Sequence, residues 1–556
     1  MINMKKLVFC LLCFCLLWET RAQDNPFHTS HRSVYEFLDE MANLHLIELN
    51  SAIKPYSRTF VVEKLNEVET QIEKLNNVQK KELKFHLLEF NIENNAPKSD
   101  YKINILPKRE HSNICLYPLG GYFSSKWFKL AIKPIWGGEF YAYSLNKNGF
   151  AYRYWGGGEM TGYIGKHFAF YVNVTDNSQS KPMSTPDKLT QMQGAILKGQ
   201  EGHTDFFNVR GGISFAWKWG SVGLIHDNIT WGNAYNGSNI FSGRTLPYAM
   251  IKFKLNPVEW FEYNYFHGAL SSNVIDSNAS YVTSNGKQRT VMRDKYIAAS
   301  ILTFRPIKNL YFNIGNSVVY SDVGFQFMYL IPFMFYKAVD DNYNATSNSA
   351  GHNTQLFFDI SCRNLKYVHF YTSMFIDELS IKRMFDKEKH SNYISWKAGF
   401  CFSGLPKTFS LTFEYTRTNP NTYQHFIPAT AFTTGDINLG HYLGSNAEEY
   451  FVQLGYRPIP RLSLKASYTY LRKGTDYIYG EGEPWGLPFM QQVIYYNHIT
   501  TLKVEWEWMN NCFVYAHLQY YKTDGREGMV QKYNPAYMQK TSGIPLVLML
   551  GFNIGI

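Results

Sequence analysis

The sequence predicts a mostly β protein: a transmembrane antiparallel β-barrel of about 18 strands, preceded by a small periplasmic three-helix domain. Three observations predict it. Apolar and polar residues alternate along most of the chain beyond Pro97. Short turns alternate with long connections rich in Asn, Ser and Gly. Aromatic residues make up 17% of the chain, yet its mean hydropathy is negative. A barrel uses such residues at its lipid interfaces, where a soluble sheet would have to bury them.

The chain starts as a secretory signal would. Lys5 and Lys6 precede an apolar stretch from Leu7 to Trp18, and Thr20-Arg21-Ala22 offers a small-residue cleavage site. Residues 1–22 are therefore expected to be removed, with the mature chain starting near Gln23. The apolar stretch is too short for a spanning helix, which needs about 20 residues.

From His31 to Asn91 the period is helical, within a domain expected to span 23–97. Val34, Phe37, Leu38, Met41 and Leu44 share one face. Val62, Leu65, Val68, Ile72 and Leu75 form a second stripe, and Leu83, Leu87 and Phe90 a third after the polar break Asn76-Asn77. Each stripe is too brief for a coiled coil, which points to a three-helix bundle in the periplasm that offers a surface to a protein partner there. Residues 98–125 connect it to a barrel spanning 126–556.

Within the barrel the side chains take opposite faces in turn. Phe409, Leu411, Phe413 and Tyr415 oppose Ser410, Thr412, Glu414 and Thr416, and Val504, Trp506 and Trp508 oppose Lys503, Glu505 and Glu507. Charges of both signs on the polar face fit a wet lumen, and an apolar face rich in Tyr and Trp fits lipid. Short breaks fall at Gly165-Lys166, 218–220, 256–259, 305–309, 363–366, 403–407, 457–461 and Asn510-Asn511. Longer connections cover 177–204, 273–290, 322–353, 379–390, 418–447, 473–493 and 523–544. Two strands per short break, an opening strand from Lys126 and a closing strand from Pro545 give about 18, with both termini on the short-turn side.

Composition and spacing exclude several functions. The net charge of +10 is scattered among acidic and aromatic residues, so no basic stripe for nucleic acid exists. Cys115, Cys362, Cys401 and Cys512 stand alone, without ligand spacing, so neither a metal site nor another cofactor is expected. Asp377-Glu378 and His226-Asp227 are neighbours on strands and face opposite ways, which is poor geometry for acid–base catalysis on one bond. Gly156-Gly157-Gly158 opens no helix and so makes no phosphate loop.

Several segments, in order, resemble the Wzi-type capsule assembly family. They are Ser33-Val34-Tyr35-Glu36-Phe37-Leu38, Ile53-Lys54-Pro55-Tyr56-Ser57-Arg58, and Tyr154-Trp155-Gly156-Gly157-Gly158-Glu159 with Gly162-Tyr163-Ile164-Gly165. Asp227-Asn228-Ile229-Thr230-Trp231-Gly232 and Phe241-Ser242-Gly243-Arg244 with Pro247 follow. Tyr329-Leu330-Ile331-Pro332, Phe375-Ile376-Asp377-Glu378 and His441-Tyr442-Leu443-Gly444 complete the set. The resemblance implies a divergent member of a family of outer-membrane lectins that hold capsular polysaccharide at the cell surface, without enzyme activity.

Sugar binding needs flat aromatic faces beside amides or carboxylates. Three places offer this mixture: Tyr152 to Trp155 with Glu159; Asp227, Trp231, Tyr235 and Asn236, which climb into an exterior loop; and Tyr329, Phe333, Tyr336, Asp340 and Asp341 in the loop from 322. The glycan-binding candidates are thus Tyr154, Trp155, Glu159, Asp227, Trp231, Tyr329 and Tyr336, with Arg244 and Asp377 added from the matching segments. Each aromatic has a blander reading as lipid girdle or loop packing. The apolar run from Tyr329 to Tyr336 is expected to fold into the barrel mouth as a plug, and lumen charges such as Lys133, Glu414, Lys465 and Glu505 to pair across strands. The competing function is a porin-like channel for small solutes or oligosaccharides.

Overall fold

A computed structural model describes residues 24–90, 92–93, 102–104, 112–116, 119–143, 149–195, 203–344, 351–384, 392–404, 408–479, 487–538 and 545–555. The expected signal segment 1–22 lies outside them, as do 98–101, 105–111 and 117–118 of the expected connection 98–125 and parts of several long connections.

Eighteen strands close into one antiparallel barrel. Strands β1 to β6 span Phe128–Tyr143, Phe150–Ile164, Phe168–Gln179, Thr204–Trp217, Gly220–Asp227 and Tyr248–Val258. Strands β7 to β12 span Phe261–Leu270, Lys295–Ile307, Leu310–Ser321, Asn353–Cys362, Val368–Glu378 and Tyr393–Ser403. Strands β13 to β18 span Phe409–Thr418, Ala447–Tyr456, Leu462–Gly474, Val493–Met509, Cys512–Gly525 and Leu546–Ile554. Closure is made by β18 on β1, with Leu550 opposite Phe140 and Ile554 opposite Trp136. Each expected short break lies at a hairpin turn, for example at Asn510-Asn511 between β16 and β17.

The alternation sorts the side chains as the sequence predicts. Leu502, Val504, Trp506 and Trp508 of β16 are exposed on the outer wall, while Thr501 and Glu507 are buried inside. On β18, Leu546, Leu548 and Leu550 face out, and Val547 and Met549 face in. This continuous apolar exterior is a lipid-facing surface.

The N-terminal residues form three helices, α1 (Arg32–Asn43), α2 (Arg58–Glu69) and α3 (Asn77–Glu89). Ser57 caps α2 by accepting from the Phe60 amide, and Asn76 with Gln79 forms a capping box on α3. Phe37, Leu38, Met41, Val61, Leu65, Val68, Leu83 and Phe90 bury a common core. The second helix stops at Glu69 rather than running on to Leu75, where Thr70 turns its hydroxyl back to the Glu67 carbonyl.

These helices do not hang below the barrel as a separate body; they enter its short-turn end. Arg363 of the β10–β11 turn is bound to Asp39 (2.8 Å), Lys465 of β15 to Glu36 (2.6 Å), and Lys133 of β1 to Glu89. Lumen charges thus pair in two ways: across neighbouring strands, as expected, in Lys397–Glu414 (2.7 Å) and Lys465–Glu505 (3.7 Å), and also with the helices.

The connection from β5 to β6 turns inward. Thr230–Trp231 pairs on one side with Phe241–Ser242 and on the other with Ile53–Lys54, making a three-stranded sheet inside the lumen. Beside it the 419–446 connection also folds in, and Tyr423 donates to the Asn239 carbonyl (2.6 Å). Trp231, Phe241, Phe266, Phe357, Phe375 and Phe432 then fill the lumen against β6 to β11 with an apolar core.

The connection from β9 takes the opposite course. Asp322 and Gly324 adopt left-handed φ values of 68° and 63°, which reverses the chain. Phe325 to Asn344 then runs down the outside of the wall and includes helix α4 (Tyr336–Asn344). Tyr263 and Tyr265 of β7, Ala298 of β8, and Val318 and Tyr320 of β9 face outward and are buried beneath Tyr329 and Tyr336. The expectation that this run plugs the barrel mouth is thus corrected. Its polar backbone is met by the wall: Tyr265 donates to the Tyr329 carbonyl (2.9 Å), the Phe333 amide to the Tyr263 hydroxyl (3.2 Å), and the Tyr336 amide to Asn316 (3.0 Å). Chain lying against lipid must find such partners in protein.

Candidate functional site

With one half of the lumen filled, the other half holds a cavity of about 850 Å³. It is bounded by the inner faces of β1 to β4 and β13 to β18. The floor is made by α1 and α3 through Glu36, Glu40 and His86. Three inward segments make the roof: Leu189–Gln193, Asn236–Arg244 and Pro535–Met538.

The roof segments hold one another. The Gly194 amide donates to the Arg244 carbonyl (2.7 Å), the Leu189 amide to the Tyr533 carbonyl (2.9 Å), and the Gln191 side chain to the Asn236 carbonyl (3.2 Å). Glu414 of β13 fixes the tip of the β5–β6 connection. It accepts from the amides of Tyr235 (2.6 Å) and Asn236 (3.2 Å) and pairs with Lys397 (2.7 Å).

Trp155 lies on the cavity wall. Arg153, two residues before it on the same face of β2, stacks its guanidinium 4.9 Å from the ring centre and pairs with Glu139 (3.3 Å). Gly137 on β1 leaves room for that ring, because a Cβ there would lie 2.3 Å from it. Tyr141 stacks on Tyr537 at 4.6 Å across the gap between wall and roof. Asn177, Asn208, Gln193 and Gln519 supply amides. Flat rings among amides and cations can cover the C–H face of a pyranose and bond its hydroxyls.

Of the sequence-predicted candidates, Trp155 and Arg244 come together on this cavity. Tyr154 is 52% exposed on the outer wall, stacked beside Tyr152, as the girdle reading expects. Glu159 points inward nearer the helices, where it accepts from Asn173 (3.2 Å). Asp227 is buried and accepts from the Tyr171 hydroxyl (2.7 Å) and the Asn228 amide (2.8 Å). Trp231 does not climb outward; it packs on Phe241 and Phe266 in the apolar half. Asp377 is a fastener, accepting from the Tyr423 amide (2.7 Å). Tyr329 and Tyr336 lie on the outer wall, away from the lumen.

Sequence reasoning passed over Arg210, Asn208, Tyr442 and Tyr537, which also line the cavity. For Arg210 the signal was present: it shares the inward face of β4 with Asn208, against the outward Phe207 and Val209. Among the described residues no cluster of three or more His, Cys, Asp or Glu is arranged to hold a metal ion.

The model of the capsule assembly protein Wzi family matches residues 148–523. No curated protein matches the sequence. Among solved structures, an Escherichia coli protein described as Wzi, an outer membrane protein involved in group 1 capsule assembly and a carbohydrate-binding β-barrel, aligns over 97% of this chain and 100% of its own, with a TM-score of 0.56 at 11% identity. Acinetobacter baumannii OccAB1 aligns over 77% of this chain and 96% of its own (TM-score 0.41, 9% identity), and Pseudomonas aeruginosa OccD3 over 76% and 90% (0.39, 12%). The barrel is an outer-membrane barrel, with its helices at the short-turn end. The family match, which takes in all but the first and last of the barrel strands, makes this chain a member of the capsule assembly protein Wzi family.

Proposed function

We propose that this barrel is a non-enzymatic glycan holder that retains or organises exported capsular polysaccharide at the cell surface. The carrying observation is the lumenal cavity of about 850 Å³, in which Trp155, Tyr141 and Tyr537 stand among amides and arginines. It has the size and lining of a ligand site. The Escherichia coli structure described as a carbohydrate-binding barrel supports the same reading.

The helices that fill the short-turn end weigh against a free-running pore as the alternative. Their outward faces, which include Glu63, Glu69, Lys81 and Lys84, are exposed and serve a periplasmic protein partner in this proposal. Deleting the gene tests the main reading: polysaccharide is expected to appear in the medium while its synthesis continues. Undiminished surface polysaccharide would overturn it.

A further inference from the structure

Most lumen cations have a carboxylate. Lys397 has Glu414 (2.7 Å), Lys465 has Glu36 (2.6 Å), Arg363 has Asp39 (2.8 Å) and Arg153 has Glu139 (3.3 Å). Two arginines on the cavity differ. Arg244, 6% exposed on the inward β5–β6 connection, leaves Nε and Nη2 without an acceptor. Arg210, 4% exposed on β4, leaves Nε and Nη1 without one. Neither forms an ion pair among the described residues.

The carboxylates nearby are already engaged. Asp227 accepts from Tyr171 and from the Asn228 amide. Glu449 accepts from Tyr442 and from Asn236 (2.9 Å). Burial pulls the Arg244 guanidinium down to about 10, which leaves it a cation at neutral pH. Two amides of the same region are also half-used. Asn228 donates to the Thr245 carbonyl (2.5 Å) and Asn208 to Gln193 (3.1 Å), while the side-chain oxygen of each is buried without a donor.

We propose that Arg244 on the roof of the cavity, with Arg210 as a separate unpaired cation on its wall, forms an anion subsite that takes the carboxylate of an acidic sugar residue of the retained polysaccharide. The proposal rests on the glycan-holding reading. A guanidinium presents a planar fork of donors that matches a carboxylate, and a buried charge is tolerated when such a partner arrives. The free amide oxygens of Asn208 and Asn228 suit hydroxyls on the same or the adjacent ring. A neutral glycan would leave both cations uncompensated.

The test uses oligosaccharides cut from the polysaccharide that the deletion strain sheds, before and after chemical reduction of their carboxyl groups. Titration calorimetry measures their binding to the purified full-length barrel in detergent. The untreated fragments are expected to contain acidic sugars and to bind at least about tenfold more tightly than the reduced ones. Arg244→Gln is expected to abolish that difference and Arg244→Lys to restore part of it, with Arg210→Gln as a second variant. Thermal unfolding and heat-modifiable gel mobility check that each variant forms its barrel. A neutral polysaccharide, or equal binding of both fragment sets to the native protein, overturns the anion subsite and leaves the glycan-holding reading standing. Binding of neither set overturns both.

Discussion

Arg363, in the turn between β10 and β11, donates through Nη2 to Asp39 of α1 at 2.8 Å, with its side chain 1% exposed. The same guanidinium also reaches the Asn43 side chain (2.9 Å), the Leu49 carbonyl (2.9 Å) and the Ser51 hydroxyl (2.8 Å), so one wall residue organises the whole entry of the helical segment. Arg363→Ala leaves Asp39 buried without its partner, which costs about 3–5 kcal/mol. The expected outcome is a barrel that still forms but whose helices come loose. Protease cleavage within residues 24–93 should rise sharply, and planar-bilayer recordings should show open events that the native protein lacks.

Acid should loosen the same helices. Burial lowers His86 to about 3, and it holds His28 and His31 below their ordinary value as well. Each must gain a proton on release, so the unfolded form binds more protons than the docked one below pH 6.5. Docking is then strongest above that value and weakens as pH falls, by up to about 1.4 kcal/mol per pH unit for each histidine. Glu82, raised by burial to about 8, works in the other direction between 4.5 and 8 and offsets one of the three. Protease sensitivity of the helices is expected to increase from pH 7 to pH 5, and His86→Leu should flatten the profile. A profile unchanged by that variant would count against this assignment.

Tyr154 and Trp155 are adjacent in sequence and belong to different environments. Trp155→Ala removes a ring from the cavity and is expected to weaken polysaccharide retention roughly tenfold, about 1.4 kcal/mol. Tyr154→Ala removes one girdle ring from the lipid face and should leave retention at the native level. Cell-surface and medium polysaccharide, quantified side by side in strains with equal barrel content, separate the two.

The strands and hairpin turns were legible because a hairpin is local: Asn510-Asn511 or Gly165-Lys166 announces itself within a few residues, and alternation fixes which side chains face lipid. The fate of long connections was not legible in the same way. The β5–β6 connection and the β9–β10 connection are both aromatic-rich, yet one fills the lumen and the other lies on the outer wall. What decides between them is non-local, namely Ile53–Lys54 waiting inside for Thr230–Trp231, and Asn316, Tyr263 and Tyr265 waiting outside for the strap. One clue was available: His267, Ser300 and Asn316 interrupt the outward apolar face on three successive strands, where bare lipid contact is unfavourable. The lining of the cavity was half legible, with Trp155 and Arg244 among the named candidates and Arg210 not, because a charged residue facing a lumen looks the same in sequence whether or not it has a partner.

The outer strap can be located by light. Phe327 is 76% exposed and Phe333 56%, on a segment whose other face is sealed to the wall. A tryptophan at Phe327, introduced as Phe327→Trp into a background without the exposed native tryptophans, should be quenched by brominated lipid chains. Quenching by aqueous iodide instead would place the strap in water and remove it from the membrane.

Thr230–Trp231 takes Ile53–Lys54 as its sheet partner, so the wall strands and their own connections do not complete the interior without the N-terminal segment. Wall and filling are therefore one construction, and the helices are an enclosed tenant of the barrel rather than a visitor that docks and leaves.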